Sequence, residues 1–201
     1  PETKNTAAAI LAASIFALRK EQGAILLVAP SDHLISDTLA FHEAVNIGML
    51  HVQKGNIVTF VVKPTHTETV YGYLRLSKDA PDGAGASSVE RFVEKPTAQI
   101  AEQMLNDGGY LWNAGIFLFR ASDMVDAFRA HAPETLSLVS QSVDDAITDL
   151  GFLRLAAEPW SMLEDISIDY AVMEHAQNLV AVSYTSKWSD LGGWDAVWSE
   201  S

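Results

Sequence analysis

The residues best placed to do chemistry sit just past short apolar runs. Ala24–Val28 is continuously apolar, the run breaks at Pro30, and Asp32 and His33 follow at once. In open α/β sheets, ligands collect at the carboxyl ends of strands. A carboxylate there could hold a hard cation such as Mg²⁺, which takes carboxylate and phosphate oxygens. An Asp that caps the next helix or shapes the turn fits the same spacing. His33 reads as a hydrogen-bonded structural histidine, because no second His stands at metal-ligand spacing. Val93-Glu94-Lys95-Pro96 closes another run. Lys95 could neutralise a phosphate as a point charge and Glu94 could accept hydrogen bonds from sugar hydroxyls, with an exposed ion pair as the plain alternative. Gly72, between Tyr71 and Tyr73, marks either close approach of a ligand to the backbone or a bulge. Asn113, in Trp112-Asn113-Ala114-Gly115, offers a donor and an acceptor that suit sugar hydroxyls, or simply a turn before the next strand. Asp190 lies in the Gly-rich stretch Trp188–Trp194, either as a second metal ligand or as a turn residue capping a final helix.

The elements that must position these residues follow from apolar spacing. Asn5-Thr6 caps an Ala-rich helix that closes on Arg19-Lys20. Ala24–Val28 and Ile57–Val62 read as strands buried on both faces, with a helix from Thr38 to Lys54 between them. Strand, helix, strand is the crossover unit of a parallel sheet. Tyr71–Leu76 and Val89–Val93 read as an antiparallel excursion around a mobile tip at Pro81–Gly85. Further helices are expected over Thr97–Leu105, Ala121–Asp149 with a break near Pro133, and Ser167–Ala176. Strands are expected at Ile116–Phe119 and Leu179–Tyr184, and Trp188–Trp198 reads as a turn followed by helix. The expected fold is α/β: a single-domain, three-layer α/β/α sandwich with a mixed, mostly parallel sheet. Most of the five Trp are assigned to the core, since large aromatics dominate burial.

Composition narrows the function classes. The chain has 201 residues, 48% of them hydrophobic, which is enough for one full α/β domain, or at most two small ones, and excludes a disordered chain. No apolar run reaches the ~20 residues of a membrane helix. Asp+Glu 26 against Lys+Arg 13 gives a net charge of −13, a field that repels nucleic acid. The cysteine count of 0 removes disulfides, thiolate catalysis and cysteine zinc sites, and fits a reducing compartment.

Taken in order, Asn5–Ile10, Pro30–His33, Tyr71–Tyr73, Phe92–Pro96, Trp112–Gly115, Ser167–Glu174 and Trp188–Asp190 form a recognisable series. With it the chain resembles the mannose-1-phosphate guanylyltransferases, especially the bacterial type often fused to a phosphomannose isomerase. The Ser167–Glu174 stretch separates that branch from other sugar nucleotidylyltransferases, and Ala8 stands where the family usually has proline. The resemblance implies a Rossmann-like, GT-A-like nucleotidyltransferase fold. It also implies a cytoplasmic reaction of GTP with mannose 1-phosphate to give GDP-mannose and diphosphate. Asp32 and Asp190 would hold Mg²⁺ and, with Lys95 on the sugar phosphate, carry catalysis. Glu94, Asn113 and the Gly72 backbone would orient the mannose, Asn5 and Thr6 would lie near the guanine, and Asp169 would join the substrate-binding set. The family's opening strand with its Gly-rich phosphate loop and its C-terminal extension have no counterpart in these residues, so the chain is expected to be the middle of such an enzyme, with impaired activity. Strand edges left uncovered at Ala24–Val28 and Ile57–Val62 would then favour a homo-oligomer. A thymidylyl or uridylyl transferase, or a non-catalytic sugar-phosphate-binding or scaffold domain, are the competing readings.

Overall fold

Asn5 starts the first helix, α1 (Thr6–Lys20): its side chain accepts a hydrogen bond from the Thr6 N–H at 2.9 Å, and Arg19 and Lys20 occupy the last turn, where the helix dipole favours cations. The computed structural model describes residues 1–77, 85–184, 186, 188–194 and 198. After α1 come β1 (Ile25–Val28), β2 (Leu34–Ile35), α2 (Thr38–Val52) and β3 (Ile57–Val62). These are followed by β4 (Tyr73–Leu76), β5 (Ala86–Val93), α3 (Ala98–Asp107) and β6 (Tyr110–Arg120). Helices α4 (Ala121–His131) and α5 (Pro133–Asp144) precede β7 (Ile147–Asp149), β8 (Phe152–Arg154) and α6 (Ala157–Ser161). A single π-helical turn (Asp169–Met173), β9 (Leu179–Ser183) and β10 (Trp188–Ser189) complete the described elements. None of the described helices is long and apolar enough to cross a membrane.

The chain divides into two compact units. The first holds Pro1–Leu26 and Phe119–Ala176; the second holds Leu27–Leu118 and the chain from Gln177. In the first unit, α1 packs on α4 and α5 around Leu11, Ile15, Met124, Phe128, Val139 and Val143, all buried. The unit's N-terminal residues are tied to its later ones: Trp160 Nε1–H donates to the Glu2 carbonyl at 2.8 Å, and Thr6 Oγ1 accepts from the Ile168 N–H at 2.9 Å.

The second unit is built on the sheet, ordered β1-β6-β3-β9-β5-β4. β3 is central, with all of Ile57–Val62 buried, as its uninterrupted apolar run requires. It pairs parallel with β9 and antiparallel with β6. The sheet is mixed, as expected, but the emphasis on parallel pairing is corrected. β4–β5, β4–β6 and β5–β9 are also antiparallel, because β4 and β5 belong to the main sheet and are not an excursion from it. The expected tip at Pro81–Ala84 lies outside the described residues. β4 pairs with β5 and also with the first residues of β6, so the ladders close a circuit through β6, β3, β9, β5 and β4.

Other expectations need correction. β1 ends the sheet order, and Leu27 is 46% exposed, so this strand is not buried on both faces. β3 has neighbours on both sides, so it offers no free edge for oligomerisation. The helix expected to reach Asp149 stops at Asp144, where Asp145 leaves helical geometry and a hairpin begins. The Ser167–Ala176 helix is shorter than expected, a π-helical segment Asp169–Met173 followed by a turn. Trp112 and Trp160 are core residues, but Trp194 and Trp198 are exposed.

Gly48 lets α2 lie close on the sheet: a Cβ there would fall 3.1 Å from Leu118 Cδ2 and 3.2 Å from Val58 Cγ1. Gly48→Val therefore overpacks this contact, and urea denaturation is expected to show a loss of about 1–3 kcal/mol.

Candidate functional site

Strand β6 carries the first group of candidate residues, and it is irregular where they sit. Its register against β3 shifts between Thr59 and Val61, so Thr59 faces Phe117 while Val61 faces Asn113. The extra residues of β6 form a bulge containing Gly115, whose φ of 66° suits glycine. Asn113 holds this bulge: its Oδ1 accepts from Thr59 Oγ1 at 2.8 Å and from the Gly115 N–H at 3.2 Å. Asn113 is thus inside a strand, not in a turn before one, and its carbonyl is engaged within the protein. Its backbone N–H donates to the Gly72 carbonyl at 2.8 Å.

Gly72 explains itself through Glu94. A Cβ at position 72 would lie 2.6 Å from Glu94 Oε2 and 3.1 Å from the Phe92 ring. The close approach expected at this glycine is made by the protein's own carboxylate. Glu94 has a side chain only 7% exposed, and the more exposed Lys95 places Nζ 3.8 Å from its Oε1. Lys95 adopts φ 44°, a left-handed conformation that turns the chain sharply after β5. Gly72, Glu94, Lys95 and Asn113 are therefore brought together, as expected.

The second group is assembled by a pairing too short to be seen in the sequence. β10 pairs antiparallel with β2, Trp188 opposite Ile35 and Ser189 opposite Leu34. Continuing that register sets Asp190 beside His33. Both Asp32 and Asp190 lie close enough to act on the His33 charge: burial lowers its pKa, and the two carboxylates partly offset the shift. Trp188 Nε1–H donates to His33 Nδ1 at 3.4 Å, and their rings meet edge-on at 5.3 Å. An acceptor Nδ1 requires neutral imidazole with its proton on Nε2. Asp32 caps no helix; Asp37 does that for α2, accepting from the Ala40 N–H at 3.0 Å. Asp190 does shape its turn, accepting from the Gly192 N–H at 3.2 Å.

Sequence reasoning missed Tyr71 as a member of this group. Its hydroxyl donates to Asp190, and its pKa is raised by burial first, then by that hydrogen bond and the charges of Asp190 and Glu68. Tyr71 meets Trp112 at 5.1 Å and Trp188 at 5.6 Å, both edge-on. Trp112, buried among these rings, has an Nε1–H with no hydrogen-bond partner among the described residues. Because Tyr71 precedes Gly72 and Trp112 precedes Asn113, the aromatic contacts join the two groups. An alternation of aromatic residues with Gly and Asn was the signal available for this.

Among the described residues, no group of three or more His, Asp or Glu side chains is arranged to hold a metal. Asp32 and Asp190 supply hard oxygens from two loops, a donor set that fits Mg²⁺ when phosphate oxygens and water complete the shell.

Asn5, Thr6 and Asp169 form a separate group in the first unit. Asn5 caps α1, and its N–H donates to Asp165 Oδ1 at 2.7 Å. Thr6 binds the Ile168 N–H, and the Asp169 carbonyl accepts from the Glu174 N–H at 3.0 Å.

With the mixed α/β sheet and the site described, the chain is a member of the nucleotidyl transferase family, matched over residues 1–201. It is 42% identical over 199 residues to a mannose-1-phosphate guanylyltransferase of Sinorhizobium fredii, covering 98% of this chain and 38% of that protein. It is 40% identical to the xanthan biosynthesis protein XanB of Xanthomonas campestris, over 98% of this chain and 41% of that one. Among solved structures, the mannose-1-phosphate geranyltransferase of Thermus thermophilus superposes with a TM-score of 0.82 at 34% identity, over 98% of this chain and 55% of that one. The chain spans about two fifths of the length of the curated relatives it matches.

The His33 geometry makes a pH prediction. A folded pKa below the ordinary histidine value of 6.5 stabilises the fold fully above that value, and the contribution is lost as pH falls through the lowered folded pKa. In an NMR titration His33 should titrate below 6.5, and Asp190→Asn should move its midpoint further down by removing an offsetting charge. An unchanged midpoint would place Asp190 away from His33.

Proposed function

We propose that this chain supplies the sugar-phosphate-binding part of a mannose-1-phosphate guanylyltransferase. In that reaction a phosphate oxygen of mannose 1-phosphate attacks the α-phosphorus of GTP. The bond from that phosphorus to the β-phosphate bridging oxygen breaks, diphosphate leaves, and GDP-mannose forms. The sugar phosphate has a second pKa of about 6, so it is already largely ionised at neutral pH and needs no strong general base. What it needs is alignment and neutralisation of charge.

The observation that carries this reading is the convergence of Gly72, Glu94, Lys95 and Asn113. Glu94 is a recessed acceptor for sugar hydroxyls, oriented because Gly72 leaves it room. Lys95 presents its ammonium beside that recess, where it would meet the sugar phosphate. Asn113 acts chiefly by fixing the backbone on which the recess stands. Asp32 and Asp190 would hold Mg²⁺, which supplies charge stabilisation at the phosphates. Tyr71 orients Asp190 and His33 stays neutral between the two acids, so neither adds positive charge that would compete with the cation. Asn5, Thr6 and Asp169 are assigned to the nucleotide side through their motif. Since GTP and mannose 1-phosphate are cytoplasmic metabolites, the reaction is placed there.

Lys95→Ala tests the assignment. Lys95 is the exposed partner in a loose 3.8 Å contact with the buried Glu94, so the thermal midpoint should fall only modestly. Calorimetric affinity for mannose 1-phosphate should fall at least about tenfold, the value of a lost charged contact. Unchanged affinity, or a loss matched by unfolding, would refute the role.

Tyr71→Phe should weaken binding of Mn²⁺, used as a paramagnetic substitute for Mg²⁺, by several-fold while the ring contacts to Trp112 and Trp188 persist. Equal Mn²⁺ affinity in both proteins would remove Tyr71 from the site.

A further inference from the structure

Pro133 forces a break between two helices of the first unit. Its ring cannot continue α4, and the residue before a proline is driven out of helical geometry. Ala132 accordingly takes φ −142° and ψ 61°, and α5 opens on Pro133. His131 is left in the last turn of α4, exposed at the corner. The π-helical segment approaches the same corner. Its Glu174 N–H bonds five residues back to the Asp169 carbonyl and the His175 N–H three back to Val172, both at 3.0 Å. This wide turn followed by a tight one delivers His175, also exposed, to His131. The two imidazole rings stand 5.9 Å apart, centroid to centroid, inclined by 35°.

Two imidazoles that bind one ion at about 2.0–2.1 Å have centroids about 5 to 6 Å apart, for bond angles from tetrahedral upward. The observed spacing falls in that range. A plain ring contact gives the same distance, so the surroundings must decide. The rings border a cavity of about 450 Å³ whose wall also carries Glu134, Glu164 and Tyr170, and its described lining contains no Lys or Arg. With neutral imidazoles, the form that ligates metals, the charges on that wall are all negative. His131 also lies at the C-terminal end of α4, where the helix dipole favours a cation. Imidazole nitrogen suits zinc, copper and nickel, whereas Mg²⁺ takes oxygen.

We propose that His131 and His175 form an open, exchangeable site for a divalent transition-metal ion of the zinc, copper and nickel class. Each ring supplies one nitrogen. Among the described residues no third acid or histidine joins them as a ligand, so water completes the shell. Glu134 and Glu164 hold that water from the cavity wall, as outer-shell acceptors do. The bound ion ties the end of α4 to the π-helical segment that packs on it. Both ligands belong to the first unit, and neither is assigned to Mg²⁺ or to the sugar phosphate. The site therefore stands or falls apart from that reading.

Cu²⁺ is the first probe, because it binds nitrogen ligands most tightly among the first-row divalent ions and is paramagnetic. Added below one equivalent to the whole chain, with Mg²⁺ in excess, it should broaden the NMR signals around His131 and His175 first. H131A and H175A should each raise the Cu²⁺ concentration needed for that broadening at least about tenfold, since losing a ligand costs no less than losing an outer-shell partner. The Cu²⁺ electron-spin resonance of the unmodified chain should show coupling to two imidazole nitrogens, and each variant should lose one. Zn²⁺ should raise the thermal midpoint of the unmodified chain by more than that of either variant, as a ligand of the folded state does. The broadening pattern and the two-nitrogen coupling need no variant, so they test the site even if a substitution disturbs folding. Broadening that begins around His33 and Asp190, coupling to fewer than two nitrogens, or a Cu²⁺ response indifferent to both substitutions would each overturn the proposal.

Discussion

The hydrogen bond from Thr59 to Asn113 is the contact on which the candidate site depends. It joins the two central strands at the point where β6 bulges against β3, and both partners are buried. A buried hydroxyl or amide without its partner costs on the order of 1–3 kcal/mol, so this pair fixes the bulge in place. The bulge decides where Gly115 turns, where the Asn113 N–H meets Gly72, and hence where Glu94 comes to rest. Stability and function share one strand here.

A second constraint runs through aromatic rings. Trp112, Tyr71, Trp188 and His33 form a sequence of edge-on contacts from the sheet to the two acids. Each contact is modest, around 0.5–1.5 kcal/mol beyond burial. Their value lies in direction: rings that meet edge-on have few alternative packings, so the loops holding Asp32 and Asp190 inherit a defined position. The short β2–β10 pairing adds two residue pairs to the same purpose. The loops are thus fixed more by side chains than by backbone ladders.

Much of this was legible in the residues themselves. The unbroken apolar run Ile57–Val62 implied a strand buried on both faces, and Asn5 with Arg19-Lys20 implied the limits of α1; both are found. Gly72, Glu94, Lys95 and Asn113 were each identified at strand ends and do converge. What failed has physical causes. Two-residue strands such as Leu34–Ile35 show no periodicity, so the contact that brings Asp190 to His33 was invisible. The apolar character of Ile147–Leu153 continued the helical pattern before it, and only the positive φ at Leu150 and Gly151 reveals a hairpin. Parallel pairing was overestimated because β4, β5 and β6 return through the same sheet, which local sequence does not record.

Among the described residues the buried indole N–H of Trp112 has no acceptor, which sets folding and selection against each other. A buried donor without an acceptor burdens the fold, and phenylalanine would keep ring contacts with Tyr71, His66 and Tyr73 while removing the donor. Selection for thermal robustness alone would therefore drift position 112 toward phenylalanine. What phenylalanine would give up is the larger ring's reach across Tyr71, which holds the aromatic series together.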